Sequence, residues 1–354
     1  MSEGRYLGLS VPDVAASMAW RNDGQLLYFS LSDRTVFETD LSGDDRAEIF
    51  IEPDRSFEVS LRQSRDRRYV VIASENHNST ELRLVDGAGH PLIISPRESG
   101  HRYRIRVLDD EYFILTNRRG AGFELARASI DGGHWRYLVL PLTGELQDFE
   151  VFTNHLVVQT RSGLGSTIYI MDFGDGEMVE IARSSPGESV SLAANPDVDS
   201  AGVRFQVSGY VTPEKLLEYD FNTGFAAVIA EENIAGLDDY VVEEKWFRGR
   251  DGTRVPVTLM YRKAKASRPR AGFITAYGAY GLALPKKFDH SWLPLLDRNF
   301  VIARIHVRGG GELGPGWHQA GKLQLKQNGI DDFVDGVNFL IEAGYVESDA
   351  VFAR

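Results

Sequence analysis

Arg308-Gly309-Gly310-Gly311-Glu312 is a glycine-rich run of the kind that can cradle a phosphate. It fits neither Gly-x-x-x-x-Gly-Lys-Ser/Thr nor the dinucleotide fingerprint, so it is expected to be a flexible loop on the side of an active site. Eight histidines, at 77, 90, 101, 134, 155, 290, 306 and 318, could supply metal ligands or a general base. None stands in a His-Glu-x-x-His or similar spacing, and no metal site is expected. Asp331-Asp332 looks like a metal pair only superficially. Adjacent residues on a helix point apart, and Asp332 or Asp331 is expected to cap the helix or face solvent. Acyl transfer needs an activated hydroxyl, a histidine base and an orienting carboxylate. Where a strand-to-helix turn presents the serine, the signature is Gly-x-Ser-x-Gly. These 354 residues hold no such elbow, and Ser162-Gly163-Leu164-Gly165-Ser166 is only a glycine-rich loop between strands.

The elements that would position any site fall into two styles. Five segments before residue 232 repeat one plan of short strands, with second strands at Leu26–Leu31, Tyr69–Ser74, Tyr112–Arg118, Leu156–Ser162 and Val203–Gly209. Their starts recur after 43, 43, 44 and 47 residues. Third strands follow at Val36–Leu41, Glu81–Asp86, Phe123–Ser129, Thr167–Phe173 and Leu216–Phe221. Fourth strands fit at Ala47–Glu52, Leu92–Pro96, Tyr137–Leu142, Met178–Ala182 and Ala226–Glu231. Four strands per roughly 40–50 residues mark a β-propeller blade rather than an ordinary sandwich, and such blades must stack to bury both faces.

From Asp238 the pattern changes. Tyr240–Arg248 and Val255–Tyr261 read as a hairpin turned by Arg250-Asp251-Gly252, and Ala264–Pro269 as a basic exposed connection. Gly272–Ala276 and Phe300–Val307 are continuous apolar runs, as in strands buried on both faces of a parallel sheet. Leu325–Ala343 carries Ile330, Phe333, Val334, Val337, Phe339, Leu340 and Ile341, a broad apolar helix stripe that Gly344 should terminate. A last strand begins at Ala350–Ala353. Alternating strand and helix is the α/β signature. The expected boundaries are 1–235 and 238–354.

Composition narrows the function classes. Apolar residues make up 43% and charged residues 25%, as in soluble globular proteins. A net charge of −12 repels phosphate backbones and anionic membranes, so neither nucleic acid nor membrane is an expected partner. No apolar run approaches the roughly 20 residues of a membrane span, and Met1 to Leu9 lacks a signal pattern. The absence of cysteine excludes disulfides and thiolate zinc sites. The expected compartment is the cytoplasm, although a cysteine-free chain suits the periplasm too.

Several motifs stand in order: Ala276-Tyr277-Gly278-Ala279-Tyr280-Gly281, then His306-Val307-Arg308-Gly309-Gly310-Gly311-Glu312-Leu313-Gly314 with Trp317-His318, then Gly321-Lys322, Lys326-Gln327-Asn328 and Asp331-Asp332-Phe333. This ordered set resembles the early catalytic domain of the prolyl oligopeptidase family of serine peptidases. Thr116-Asn117-Arg118-Arg119-Gly120, Phe152-Thr153 and Thr212-Pro213 are similar to the oligopeptidase B branch. The resemblance implies a seven-bladed propeller over an α/β-hydrolase domain. The chain would hold about five blades and the N-terminal part of that domain, being cut at both ends. It implies hydrolysis of short peptides without metal or cofactor, in some members after basic residues. The Ser, Asp and His of the triad would lie beyond Arg354, leaving the chain inactive alone, and the unpaired sheet edges and uncovered helix stripe of a half domain would leave it poorly soluble. Tyr277 matches the tyrosine whose hydroxyl helps form the oxyanion hole, and Tyr280 an aromatic bordering the specificity pocket. Oligopeptidase B carries two aspartates just after this motif that accept a second basic residue. Here those positions hold Pro285 and Lys287, which implies loss of the dibasic preference.

Two other expectations stand beside this one. The chain could be half of a split peptidase completed by a complementing C-terminal chain, or a non-catalytic propeller module that binds a partner. The α/β stretch argues against the latter.

Overall fold

The structure, a computed structural model, describes residues 13–40, 46–87, 89–120, 122–263 and 270–354; the connection expected at Ala264–Pro269 lies outside them. Two compact units are present. The first comprises residues 1–139, 151–153 and 196–199, and the second 140–150, 154–195 and 200–354.

The first unit holds three four-stranded antiparallel sheets. They are β1 to β4 (Val14–Trp20, Leu26–Ser30, Thr35–Thr39, Arg46–Ile51), β5 to β8 (Glu58–Gln63, Val70–Glu75, Thr80–Val85, Pro91–Ile93) and β9 to β12 (Tyr103–Leu108, Glu111–Thr116, Glu124–Ser129, Arg136–Tyr137). In each, consecutive strands are hydrogen-bonded neighbours, as a blade requires. The blades bury their faces against one another. Leu27, Phe29 and Val36 pack with Leu61, Val70 and Ile72, and Leu82 and Leu84 with Tyr103, Ile105 and Ile114. The outermost strands are shorter than expected at Leu92–Pro96 and Tyr137–Leu142. Pro96 and Pro141 lack the N–H that would extend the ladder.

Two more blades belong to the second unit: β13 to β16 (Glu145–Val151, His155–Ser162, Gly165–Asp172, Met178–Arg183) and β17 to β20 (Glu188–Leu192, Gly202–Gly209, Lys215–Asp220, Ala226–Glu231). Ser162-Gly163-Leu164-Gly165 is a tight hairpin turn in which Ser162 pairs with Gly165.

A mixed five-stranded sheet follows, in order β21-β22-β24-β23-β25. Its strands are β21 (Tyr240–Arg248), β22 (Arg254–Arg262), β23 (Ala271–Thr275), β24 (Phe300–Ile305) and β25 (Val351–Ala353). β21 and β22 form the expected hairpin, with Gly252 at φ 83°. β23 runs parallel to both β24 and β25. Helix α1 (Leu293–Asp297) lies between β23 and β24 in the chain; α2 (Pro315–Gln319) and α3 (Lys326–Glu342) lie between β24 and β25.

Five of the seven residues of the expected apolar stripe on α3, Phe333, Val337, Phe339, Leu340 and Ile341, pack against the core of the sheet. Gly329, Asp332, Gly336 and Leu340 are its buried positions, whereas Ile330 and Val334 are exposed. The small residues let the helix press close: a Cβ on Gly336 would come within 2.9 Å of Phe247. Gly344 ends the helix at φ 74°, its N–H donating to the Ile341 carbonyl. Among the described residues no helix is long and apolar enough to cross a membrane.

Candidate active site

In open α/β sheets, ligands bind beyond the carboxyl ends of the parallel strands. Here those ends are the loops that leave β23 and β24, and both expected site tyrosines lie on the first. Tyr277 is 42% exposed, and no described residue hydrogen-bonds its hydroxyl. Tyr280 is 82% exposed and sits at φ 55°, a left-handed conformation that side chains beyond glycine seldom adopt. Such local strain persists only where the surroundings enforce it.

The enforcement comes from the glycine run. Far from being an open flexible loop, His306–Glu312 is buried throughout. Gly309 has φ 98°, and a Cβ there would strike the Gly278 carbonyl and lie 2.8 Å from that of Gly321. Gly311 meets the Gly281 carbonyl in the same way. The two loops therefore touch backbone to backbone, which only glycine permits. Lys326 on α3 donates to the Gly278 carbonyl at 2.6 Å, and the Gly281 N–H donates to the Gly309 carbonyl at 3.1 Å. Trp317 Nε1 donates to the Val307 carbonyl at 3.0 Å, while His318 Nδ1 lies 2.9 Å from the Gly309 carbonyl. His318 thus has a structural place beside the tyrosine loop.

A buried ion pair holds the run from behind. Arg308 is bidentate on Asp332, with Nη2 2.6 Å from Oδ1 and Nε 2.9 Å from Oδ2, and its backbone N–H also reaches Oδ2 at 2.9 Å. The Arg308 Nη1 donates to Asp251 at 2.6 Å. Hydrogen bonding to Asp332, opposed by burial and aided by Asp251, keeps Arg308 protonated beyond its ordinary range. Asp251 is held down to about 2, first by the Thr253 N–H and, against burial, by Arg308. Of the two aspartates expected to point apart, Asp332 is the one that neither caps nor faces solvent: its side chain is 1% exposed, because α3 turns this position inward with Gly329 and Gly336. Asp331 does point away, toward Arg250 at 3.2 Å. Among the described residues no group of three or more His, Asp or Glu could hold a metal.

His306 and Glu312 form a second buried pair. His306 Nε2 is 2.8 Å from Thr258 Oγ1, and its Nδ1 is 3.6 Å from Glu312. Burial pushes the Glu312 carboxyl up, but hydrogen bonding and charge from the His306 side override it, and the carboxyl is held below its ordinary value of 4.5. A depressed folded value means stability that is present above pH 4.5 and lost as pH falls through the folded value. Urea unfolding midpoints measured from pH 6 downward should therefore drop less steeply below pH 4.5 in Glu312→Gln than in the parent. Identical slopes would rule out this linkage.

Beside this pair lies a cavity of about 370 Å³ within the second unit. The fourth and fifth blades line it with Gln147, Gln159, Arg161 and Gln206. Pro285, Lys286 and Lys287 form another wall, so both positions singled out for the missing aspartates face it. Lys286 is anchored in place: its ammonium donates to Glu244 at 2.7 Å and its carbonyl accepts from Ser208 at 3.0 Å. The sequence motifs contain Arg308, Asp332, Asp251 and Lys326 but do not show that they hold the two loops together, and nothing in them marks the Lys286–Glu244 pair. The inward helical spacing of Gly329, Asp332, Gly336 and Leu340 was the one signal that could have marked the carboxylate as buried.

Two family models match the chain. One, described as the N-terminal β-propeller domain of prolyl oligopeptidase, covers residues 1–232; the other, the prolyl oligopeptidase family, covers 286–354. Dipeptidyl aminopeptidase BI of Pseudoxanthomonas mexicana is 31% identical over 100% of this chain and 51% of its own length. Protease 2 of Moraxella lacunata is 27% identical, over 100% and 54%. The structure of oligopeptidase B from Leishmania major matches in fold with a TM-score of 0.87 at 24% identity, over 96% of this chain and 52% of that one. The chain spans about half the length of the curated relatives it matches.

Proposed function

Since this chain belongs to the prolyl oligopeptidase family of serine peptidases, we propose that it supplies the propeller and the oxyanion side of a serine oligopeptidase that cleaves short peptides through an acyl-enzyme. The Tyr277 loop carries the reading. It lies at the carboxyl end of a parallel strand, is locked by buried glycines, and leaves its phenol exposed without a hydrogen-bond partner among the described residues. A hydroxyl held in that way can donate to the charge that develops on a scissile carbonyl oxygen. Tyr280, 82% exposed on the same loop, would border the substrate. The serine, aspartate and histidine are not among the motifs of these residues and would come from a C-terminal continuation or a complementing chain.

The test is to assay arginyl and prolyl peptides with the purified chain. The same assay is run on a chimaera continued by the unmatched part of the Pseudoxanthomonas relative. No turnover is expected from the chain and turnover from the chimaera. Turnover by the chain alone would show that its own residues complete the chemistry. In the chimaera, paired and single basic residues before the bond should be cleaved about equally, because Lys287 repels a second cation. A marked preference for paired basic residues would contradict that.

A further inference from the structure

Helix α3 begins in a way that its own stability does not explain. A helix start is ordinarily stabilised by a capping side chain and by acidic residues in the first turn, because unpaired backbone N–H groups and the positive end of the macrodipole lie there. α3 has neither: no side chain caps it, its first turn holds no acidic residue, and its first residue is a cation, Lys326. The charge is not compensated elsewhere. In a chain of net charge −12, the ammonium makes no ion pair among the described residues, and its one hydrogen bond there is the 2.6 Å contact with the Gly278 carbonyl. The approach to the helix is strained as well. Leu323 is 82% exposed and sits at φ 49°, a left-handed conformation rare outside glycine. A Cβ on Gly321 would strike the Arg308–Gly309 backbone. The carbonyl that Lys326 reaches belongs to the residue after Tyr277, and Gly278 is confined from its other side, where a Cβ would strike Val307. Positions that break a local rule with no local compensation are the ones where function sets the residue.

We infer that Lys326 is a positioning residue for Tyr277: its ammonium fixes the Gly278 carbonyl, and with it the backbone that aims the phenol, at a cost to the start of α3. The inference rests on the oxyanion reading above, but the first of its two tests needs no turnover. In the 354-residue chain, hydrogen exchange read by mass spectrometry should show the amides of Tyr277–Leu282 opening about tenfold faster in Lys326→Met, the scale of one hydrogen bond to a charged group. The melting temperature should stay at or above that of the parent. Lys326→Glu puts a carboxylate at the helix start, so it should raise the melting temperature and still free the loop. A residue that merely held the fold would move both readings together. In the chimaera, Lys326→Met should lower kcat about tenfold with KM unchanged. Lys326→Arg, which still offers a donor, should recover most of the loss. In a Tyr277→Phe background Lys326→Met should cost nothing further, because the two residues act as one unit. Unchanged exchange in Lys326→Met, a melting temperature that falls in both variants, or a kcat loss that persists beside Tyr277→Phe would each overturn the assignment. If Tyr277→Phe lowers kcat and Lys326→Met does not, this role falls and the oxyanion reading stands. If Tyr277→Phe keeps full kcat, both fall. A chimaera without turnover would sink the peptidase reading, and the exchange rates would still decide whether Lys326 holds the loop.

Discussion

Asp332→Ala is expected to destabilise the α/β part of the chain by about 3–5 kcal/mol, the range for removing one partner of a buried ion pair. Asp332 is 1% exposed and Arg308 8%, so the guanidinium left behind would keep only Asp251 and would lose three hydrogen bonds that water cannot replace. The attraction within the pair does not itself measure the loss; the uncompensated buried charge does. The Arg308→Met, Asp332→Leu double variant should therefore lie much closer to the parent than the single alanine variant does. Urea unfolding followed by tryptophan fluorescence reads both, since Trp317 donates to the Val307 carbonyl next to Arg308. A single variant that costs under about 1 kcal/mol, or a double variant no better than the single, would refute the account.

Tyr277→Phe should lower kcat of the chimaeric enzyme by about 10²–10³ with little change in KM, the effect of deleting one oxyanion donor. The phenylalanine keeps the ring and removes only an oxygen that no described residue binds, so stability should be unaffected. That combination separates a donor to the transition state from an aromatic that merely packs. If kcat is retained, Tyr277 has no part in stabilising the oxyanion. If kcat and melting temperature fall together, its role is in the fold.

The blades were legible because their local chemistry is repetitive. Leu156–Val158 and Val203–Phe205 sit in β-branched and aromatic runs bounded by polar turns, and both lie within strands. The α/β elements were legible for a similar reason, with the Tyr240–Arg248 hairpin arm found at its full length. The stripe on α3 was legible except at Ile330 and Val334, since hydrophobicity alone does not say that Gly336 rather than Val334 meets the sheet. The clamp was not legible. Asp251, Arg308 and Asp332 come from a hairpin turn, a loop and a helix, and each looks like an ordinary surface charge in its own neighbourhood. The tyrosine loop was placed by its motif, but what holds it is backbone contact between glycines, which leaves no side-chain pattern to read.

The pairing pattern has a consequence for the order in which the molecule assembles during synthesis. Within each blade a strand bonds only to its sequence neighbours, so every ladder can zip up once some forty residues have left the ribosome. β25 instead bonds to β23, with Gly272 opposite Val351, and must wait for the intervening helices to be made. The Tyr277 loop emerges early, yet the pieces that clasp it, Gly309, Gly311 and Lys326, arrive later. Nascent chains arrested before Lys326 should therefore carry protected blades while the amides around Tyr277 still exchange freely.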